Sequence, residues 1–351
     1  MRGSWMKVTS LMLAALMILT LAGCAQQSAT EPDKQPSEAP ESAGEATEQP
    51  KQEGVKLKIA TLMEGPMNDG GWNIFAYEGL QMAQAEYGAE ITYTDNVTAN
   101  DMAQLLRQYA MQGYNVLIGH GYAFGDALTE VAAEFPDVKF INYGGSAFNG
   151  TNLAAVQFAY GEGTYVMGAV AGTTEGISKI GMVSAFENAT VKSDFENFKL
   201  SALKYNDKVE IVNVYTGDYN DVNKAKEAVL ALLADGCDLI VTDMSTGQDA
   251  MLEAVRGAGK KMMHTLTDLM AEDPDTLLWC GIEDIAKATF AAIREVYEGR
   301  FQGKVYAFGI NDGAMGFGVF GNAITEEQKT LAEELEGKIR AGEIELLNFA
   351  S

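Results

Sequence analysis

Short apolar runs alternate with amphipathic helical patterns along residues 55–351, and this alternation limits the folds open to the chain more than any other feature. The predicted strands are Leu57–Leu62, Glu90–Thr94, Asn115–Gly119, Val138–Asn142, Lys179–Ser184, Val209–Tyr215, Asp238–Asp243, Lys261–Leu266 and Lys304–Gly309. Several are continuously apolar, which is typical of strands buried on both faces of a parallel sheet. Apolar residues at helical spacing lie between them, for example Ala76–Tyr87 and Leu128–Phe135, the latter ending at Pro136. The pattern predicts an α/β fold with parallel sheets and right-handed crossovers.

The predicted strands fall into two similar halves. About nine strands over this length fit two sheets better than one. A helix that ends at Gly113 leads into one apolar strand, and a helix that ends at Gly236 leads into another. Glycine suits these helix ends because the left-handed conformation there is free of a Cβ clash. We therefore predict two α/β lobes that divide near residue 157, with a ligand cleft beyond the carboxyl ends of their strands.

The N-terminal segment, residues 1–23, has the layout of a secretory signal peptide. A basic start with Arg2 and Lys7 precedes an apolar run, Leu11–Ala22. The run ends in Leu-Ala-Gly-Cys at Cys24, which resembles the lipobox of bacterial lipoproteins. That resemblance implies cleavage before Cys24 and lipidation of its sulfur and new amino group. A membrane-spanning anchor is the alternative, but the run is shorter than the roughly 20 apolar residues that cross a bilayer.

Residues 24–54 have the composition of a tether. They are mostly Ala, Gln, Ser, Glu, Pro, Thr and Gly. Such a segment cannot bury enough apolar surface to offset its chain entropy, so we predict that it is disordered. Each acyl methylene buried in a membrane contributes roughly 0.8 kcal/mol, so more than one chain anchors a protein stably. We expect an extracytoplasmic domain, in the periplasm or on the outer face of the cell, held to the membrane by this anchor.

The charge of the chain excludes some partners. The sequence holds 49 acidic and 25 basic residues, for a net charge of −24. Nucleic acid and anionic membrane surfaces require clustered Lys and Arg, so neither is an expected partner. The charge argues more weakly against a strongly anionic ligand, and solubility is an alternative explanation for it.

The cysteine and histidine content argues against metal and nucleophile chemistry. Besides Cys24 the chain has Cys237 and Cys280, which either form a disulfide or are small buried residues. No Cys-x-x-Cys is present, and the two histidines are His120 and His264. Zinc sites and Cys–His pairs therefore have little support, and we predict no metal, no cofactor and no catalytic residue.

The turn after the first strand is rich in glycine and polar residues and leads into a helix. Asn68 and Asp69 either cap this helix or bind a ligand. Trp72 stands at the helix start, where an indole suits stacking on a flat ligand, although the helical period also brings it near the core face. The polar Asn73 beside it is a further candidate for ligand binding. The turn is neither a dinucleotide fingerprint nor a P-loop, so phosphate binding is not predicted.

Other strand ends carry aromatic or acidic residues. Tyr122 and Phe124 follow the third predicted strand, and Phe186 follows the fifth. Asp243 and Asp268 stand at or just beyond two later strands. Each is weak evidence alone, because turns attract Asp, Ser and Gly anyway. Together they predict an aromatic sandwich with polar edges, the kind of pocket that a heteroaromatic ring fills.

Five segments in order resemble the basic membrane protein family, also called PnrA- or Med-like, of substrate-binding lipoproteins of ABC transporters. They are residues 65–73, 133–140, 160–172, 179–181 and 309–314. The resemblance implies a type I periplasmic-binding-protein fold, with two doubly wound parallel-sheet lobes joined by hinge strands. It also implies a purine-type ligand between aromatic rings and an ABC permease as partner. The expected division is 55–157, with about 283–303 returning to it, for lobe 1, and 158–282 with 304–351 for lobe 2. We expect a monomer.

The same resemblance implies roles for individual residues. Asp69 binds the ligand edge, and Trp72 stacks where nucleoside binders usually have Phe. Either Tyr122 or Phe124, together with Phe186, closes the sandwich, and two aspartates, Asp243 and Asp268, reach in from the second lobe.

The resemblance also bears on the kind of ligand. The motif around Trp72 is similar to that of relatives that bind free nucleobases such as adenine. Glu283 aligns where nucleoside binders place a Lys. The hypothesis is therefore a free nucleobase or similar flat heterocycle, with a purine nucleoside as the alternative.

Two further interpretations stay open. Glu162 either accepts a hydrogen bond from a ligand or hinge, or caps the helix that follows it, and the second is slightly preferred. Sugar binding or signalling, as in relatives of the same fold, is a competing function. An enzyme with Asp243 and Asp268 as acid and base is a third, but no nucleophile elbow or dinucleotide fingerprint supports it.

Overall fold

A computed structural model describes residues 56–68, 71–219, 221–244 and 246–349. The predicted signal peptide, the tether and Cys24 lie outside these residues, and so does Asp69. Within the described part of the chain, no helix is long and apolar enough to span a membrane.

The first sheet contains six parallel strands. In chain order they are β1 (Lys58–Met63), β2 (Glu90–Thr94), β3 (Val116–His120), β4 (Lys139–Tyr143), β5 (Leu153–Phe158) and, much later, β11 (Val305–Phe308). Their order in the sheet is β11-β5-β4-β3-β1-β2. The helices that follow these strands are α1 (Trp72–Tyr87), α2 (Met102–Met111) and α3 (Gly125–Glu134). Apolar faces of α2 and α3 pack with Leu62, Leu117 and Phe140 of the sheet, which gives this lobe its own core.

The second sheet also has six strands. They are β6 (Lys179–Ser184), β7 (Glu210–Tyr215), β8 (Leu239–Asp243), β9 (Lys261–His264), β10 (Leu277–Glu283) and β12 (Met315–Phe317). All pair in parallel except β12, which runs antiparallel to β10. The remaining helices are α4 (Glu162–Thr173), α5 (Ala189–Tyr205), α6 (Val222–Ala234), α7 (Gln248–Gly257), α8 (Ile285–Tyr297) and α9 (Glu326–Arg340).

The chain passes between the sheets three times, at 159–161, 284 and 309–314, and we call these segments the three crossings. They are hydrogen-bonded to one another. The N–H of Ala159 donates to the carbonyl of Phe308 at 2.9 Å, and the N–H of Asp284 donates to the carbonyl of Ala314 at 2.7 Å. The crossings therefore form one bonded hinge.

The structure confirms the predicted fold class, with two parallel-dominated sheets arranged as in type I periplasmic-binding proteins. Each predicted strand is present within one or two residues of its expected bounds. β5, β10 and β12 were not predicted. We predicted that lobe 2 resumes at residue 304. Val305–Phe308 instead forms β11, which pairs with β5 of the first sheet, so the prediction is wrong for these four residues. The other predicted lobe boundaries stay a prediction.

The two cysteines of the described chain are free thiols buried in the second lobe. Cys237 and Cys280 both belong to the core that Val229 and Ile240 help to form. Burial raises the pKa of each thiol to about 11, which keeps both protonated at neutral pH. They are core residues, and the alternative of a disulfide is wrong.

Candidate ligand-binding site

The carboxyl ends of the central strands carry the polar and aromatic side chains of a cleft between the lobes. In the first sheet these ends are His120 and Tyr143. In the second sheet they are Ser184, Asp243 and His264. Desolvation and then the charges of Glu283 and Asp284 raise the pKa of Tyr143 well above its usual value, so the ends of β4 and β10 lie within electrostatic range of each other.

Trp72 is the first residue of α1, and 41% of its surface is exposed. Its ring lies 4.4 Å from the ring of His120 and 5.6 Å from that of Tyr143. A Cβ on Gly144 would lie 2.9 Å from the indole, so glycine there leaves room for the ring. The aromatic side chains hold one part of the indole while another part stays accessible, as stacking on a ligand requires.

The two asparagines predicted at the site have different surroundings. Asn73 is buried, and its Nδ2 donates to the carbonyl of Pro66 at 3.2 Å, which fastens the turn before α1. Asn68 is exposed at that turn. The backbone N–H of Met67 donates to Asp95 Oδ2 at 3.0 Å, so the turn is also fixed to the end of β2.

Tyr122 and Phe124 form a short 3-10 helix after β3, but they point to opposite environments. Tyr122 is 76% exposed, whereas Phe124 has no exposed surface and packs in the core of the first lobe. The prediction that Phe124 contacts a ligand is wrong, because its ring contacts Gly119 and the rest of that core. Of the two alternatives, Tyr122 alone offers an accessible ring.

Phe186 follows β6 in the second lobe and is 46% exposed. Its ring makes an edge contact with Tyr219, with centroids 5.5 Å apart. Tyr219 was not predicted, and its carbonyl accepts a hydrogen bond from Thr246 at 2.7 Å. Together the two rings form an aromatic surface on the second lobe, and part of the Phe186 ring stays exposed.

The two predicted aspartates of the second lobe also differ. Asp243 ends β8, where its Oδ2 accepts a hydrogen bond from Ser184 Oγ at 2.9 Å. Desolvation raises the pKa of Asp243 to about 6. Asp268 is exposed, and its Oδ1 accepts from the N–H of Met270 at 2.9 Å, so it caps its own loop.

A cavity of about 250 Å³ lies where α1 meets the second lobe. Phe75 and Glu78 line one side, and Leu266, Asp268 and Glu283 line the other. Leu266 has φ of 89°, a conformation that non-glycine residues rarely adopt and that costs energy. The N–H of Glu283 donates to the Leu266 carbonyl at 3.0 Å, which helps to hold this conformation beside the cavity.

Three carboxyl groups form what we call the acid cluster: Asp194 of α5, Asp243 of β8 and Glu283 of β10. Asp194 and Glu283 line one narrow cavity together with Thr265. Thr265 Oγ1 lies 3.5 Å from Asp243 Oδ1, which joins the third carboxyl to the same group. Desolvation and then Asp243 raise the pKa of Asp194 to about 7, and desolvation and the other two carboxyls raise that of Glu283 well above its usual value. The sequence pattern did not predict α5, so it gave no indication that Asp194 belongs to this cluster.

Glu162 and Asp194 both bond to the crossings. Glu162 Oε2 accepts from the N–H of Ile310 at 2.7 Å, and Asp194 Oδ1 accepts from the N–H of Gly161 at 2.7 Å. Of the two interpretations of Glu162, the hydrogen bond to the hinge is present in the structure. The N-cap of α4 is Gly161, and Glu162 is the acidic residue in the first turn of that helix.

Among the described residues, no group of three His, Cys, Asp or Glu side chains has an arrangement that would hold a metal ion. The acid cluster supplies hydrogen-bonding and charged groups, and Trp72 and Phe186 supply exposed aromatic faces.

Comparison with known proteins places the chain in a family. Residues 56–349 match the family model described as ABC transporter substrate-binding protein PnrA-like. A purine-binding protein of Brucella abortus is 25% identical over 292 residues, covering 82% of each chain. An ABC transporter nucleoside-binding protein of Lactococcus lactis is 25% identical over 190 residues, covering 53% of this chain and 54% of the relative.

Solved structures agree at the level of the fold. A solute-binding protein of an ABC transporter system from Aeropyrum pernix superimposes with a TM-score of 0.68 at 21% identity. The match covers 84% of this chain and 94% of that one. The family match spans nearly the whole described chain and agrees with the two-lobed fold. The chain belongs to the family of PnrA-like substrate-binding proteins of ABC transporters.

Proposed function

We propose that the protein captures a free purine nucleobase, or a similar flat heterocycle, in the cleft between its lobes and delivers it to an ABC permease. The exposed indole of Trp72 beside the cleft is the observation that carries this proposal. It offers a face for stacking, and Phe186 offers a second aromatic surface from the other lobe. The purine-binding relative supports the class of ligand.

A purine nucleoside is the second candidate, and the nucleoside-binding relative favours it. The cleft favours the free base for an electrostatic reason. The family resemblance implies that nucleoside binders have a Lys where this chain has Glu283. Among the described residues no Lys or Arg forms an ion pair with any carboxyl of the acid cluster. A cation that would bind ribose hydroxyls is therefore not supplied there.

The experiment that tests the ligand uses the purified full-length protein after ligand removal by gentle unfolding and refolding. Thermal shift and titration calorimetry compare adenine, hypoxanthine, guanine and xanthine with adenosine, and a panel of sugars tests the competing function. Stabilisation by a base supports the proposal. Stabilisation by adenosine without any response to the free bases would reverse the order of the two candidates, and a response to sugars alone would reject both.

Binding rather than catalysis is the expected activity, since the family consists of substrate-binding proteins. The closed state of the two lobes binds the ligand more tightly than the open state does, and the permease recognises the closed state. Incubation with adenosine, followed by chromatography, would detect release of adenine if Asp243 and Asp268 acted as a catalytic pair.

The anchor and the oligomeric state are parts of the same proposal. We expect a lipid on Cys24 and an extracytoplasmic, membrane-held monomer. Incorporation of a labelled fatty acid into the wild-type protein but not into Cys24→Ser tests the anchor. Light scattering coupled to size-exclusion chromatography, in detergent, tests the monomer.

A further inference from the structure

Within the part of the chain that the structure describes, no Lys or Arg pairs with any of the three carboxyls of the acid cluster. Asp194 and Asp243 accept hydrogen bonds from neutral groups, Gly161 N–H and Ser184 Oγ. Among the described residues the Glu283 carboxyl has neither a hydrogen bond nor an ion pair. Like charges this close disfavour full ionisation, so protons or a bound positive group must offset them.

Tyr143 is an independent sign that a polar ligand group belongs here. Its side chain is 2% exposed, and its hydroxyl has no hydrogen-bond partner within the described chain. Glu283 and Asp284 lie within electrostatic range of it, since after desolvation their charges raise the pKa of Tyr143. Buried hydroxyls are normally bonded, so an unpaired hydroxyl within electrostatic range of an unpaired carboxyl is a place for a polar group of a ligand.

Other titratable groups around Glu283 do not neutralise it. Tyr160 lies within electrostatic range of all three carboxyls and stays protonated, because its pKa is raised by desolvation and then by Glu283. Asp284 already pairs with Lys287 at 2.8 Å. His264 lies at the end of β9 with its pKa lowered to about 4 by desolvation, so it is neutral above that pH. Tyr219 is also protonated, since desolvation and then Asp243 raise its pKa.

We propose that the acid cluster selects a basic aminoheterocycle, a ring whose nitrogen acceptor lies beside an exocyclic amino group, and that Glu283 shares one proton with that edge. The inference rests on the proposed function, since it assumes a flat heterocycle in the cleft.

The chemistry follows from the two hydrogen-bonding groups of such an edge. A protonated Glu283 donates to the ring nitrogen and accepts from the amino group, while an ionised Glu283 accepts two bonds from the protonated edge. Both descriptions contain the same atoms and the same single proton. A lactam edge instead presents a carbonyl oxygen, which the neighbouring carboxylates repel. Selectivity for the amino edge therefore comes from the negative field of Asp194 and Asp243.

The shared proton makes binding depend on pH. In the ligand-free protein the acid cluster loses protons as pH rises past about 6, the pKa of Asp243, and then past about 7, the pKa of Asp194. Binding above that pH must take a proton up, so affinity falls by up to about tenfold per pH unit for one proton. Below that range the proton is already present, and affinity changes less.

The test is titration calorimetry of the full-length protein with adenine and hypoxanthine, which differ at this edge alone, at several pH values from 5.5 to 8.5. Buffers of different ionisation enthalpy at pH 8 count the protons taken up. We expect adenine to bind at least tenfold more tightly than hypoxanthine and to take up close to one proton. Glu283→Gln keeps one donor and one acceptor but cannot titrate, so it should keep adenine binding and lose most of the proton uptake. Glu272→Gln, on the exposed surface, is the matched control.

Three results would overturn the inference while leaving the proposed function in place. They are hypoxanthine binding as tightly as adenine, adenine binding without proton uptake, and an unchanged pH slope in Glu283→Gln. If neither base binds at any pH, the proposed function itself fails and this inference with it. Should Glu283→Gln not fold, Asp194→Asn and the wild-type proton count decide the question.

Discussion

Glu162 Oε2 accepts a hydrogen bond from the backbone N–H of Ile310 at 2.7 Å, and this bond joins the start of α4 to the third crossing. Arg340 of α9 donates to the carbonyl of the same Ile310 at 2.6 Å. Both backbone polar groups of one hinge residue, Ile310, are therefore held by side chains of the second lobe. A Cβ on Gly309 would lie 2.2 Å from Glu162 Oε2, so glycine is required for the carboxylate to reach the hinge.

Glu162→Ala should destabilise the protein by about 1–3 kcal/mol, because it leaves the Ile310 N–H without its partner. Glu162→Gln retains a carbonyl acceptor and should lose less than about 1 kcal/mol. Urea unfolding at constant pH measures both. Glu175→Ala, at an exposed position next to α4, is the control and should lie within about 0.5 kcal/mol of wild type. Equal stability of the alanine variant and wild type would show that the hinge bond carries little free energy.

Trp72→Ala should weaken ligand binding by about 1–3 kcal/mol, the range for removing an aromatic ring that stacks on a base. Trp72→Phe keeps a ring and should recover much of that loss. Because the indole is 41% exposed, its removal should cost less stability than removal of a core ring. Calorimetry with the ligand that the thermal-shift panel identifies gives the affinities. Met111→Ala removes another exposed apolar side chain, far along the chain at the end of α2, and should leave affinity unchanged.

The strand and helix periods made the fold predictable, and each exception has an identifiable cause. β5 reads Leu-Ala-Ala-Val-Gln-Phe, where two alanines weaken the strand signal. β10 contains Cys280 and Gly281, and β12 has three residues, too few for a period. The return of Val305–Phe308 to the first sheet depends on pairing with β5, which no local pattern encodes.

The cleft was predictable only in part. Candidates at or after strand ends, such as Trp72, Phe186 and Asp243, could be predicted because parallel strands bring their carboxyl ends together. Asp194 lies on a helix face and reaches the crossings through tertiary packing, so its sequence neighbours gave no sign of its role. Phe124 illustrates the opposite error, since a turn position beside Tyr122 does not reveal which ring points inward.

Phe124→Ala should destabilise the protein by about 3–5 kcal/mol, because it removes a fully buried ring and leaves a cavity. Tyr122→Ala, two residues away and 76% exposed, should change stability by less than about 1 kcal/mol. Urea unfolding of the two variants compares them directly. A small effect at Phe124 with a large loss of ligand affinity would restore its predicted role at the cleft.

The acid cluster should also make the ligand-free protein lose stability as pH rises. The pKa of Asp194 is raised to about 7 and that of Asp243 to about 6, so the folded state binds more protons than the unfolded state between about pH 4 and 7. The free energy of unfolding therefore falls as pH rises through that window. His264 has the opposite effect on stability. Its pKa is about 4 in the folded protein and about 6.5 in the unfolded chain, so its contribution to stability is lost as pH falls below about 6.5.

Asp194→Asn separates the two effects, since it removes one titrating carboxyl and leaves His264 in place. Relative to wild type, the variant should gain on the order of 2 kcal/mol between pH 5 and pH 8. Urea unfolding at pH 5, 6.5 and 8 without ligand measures this difference. Asp207→Asn, at an exposed position, should run parallel to wild type across the same range. If Asp194→Asn also runs parallel to wild type, the carboxyl is not protonated in the folded state, and another group must offset the charge of Glu283.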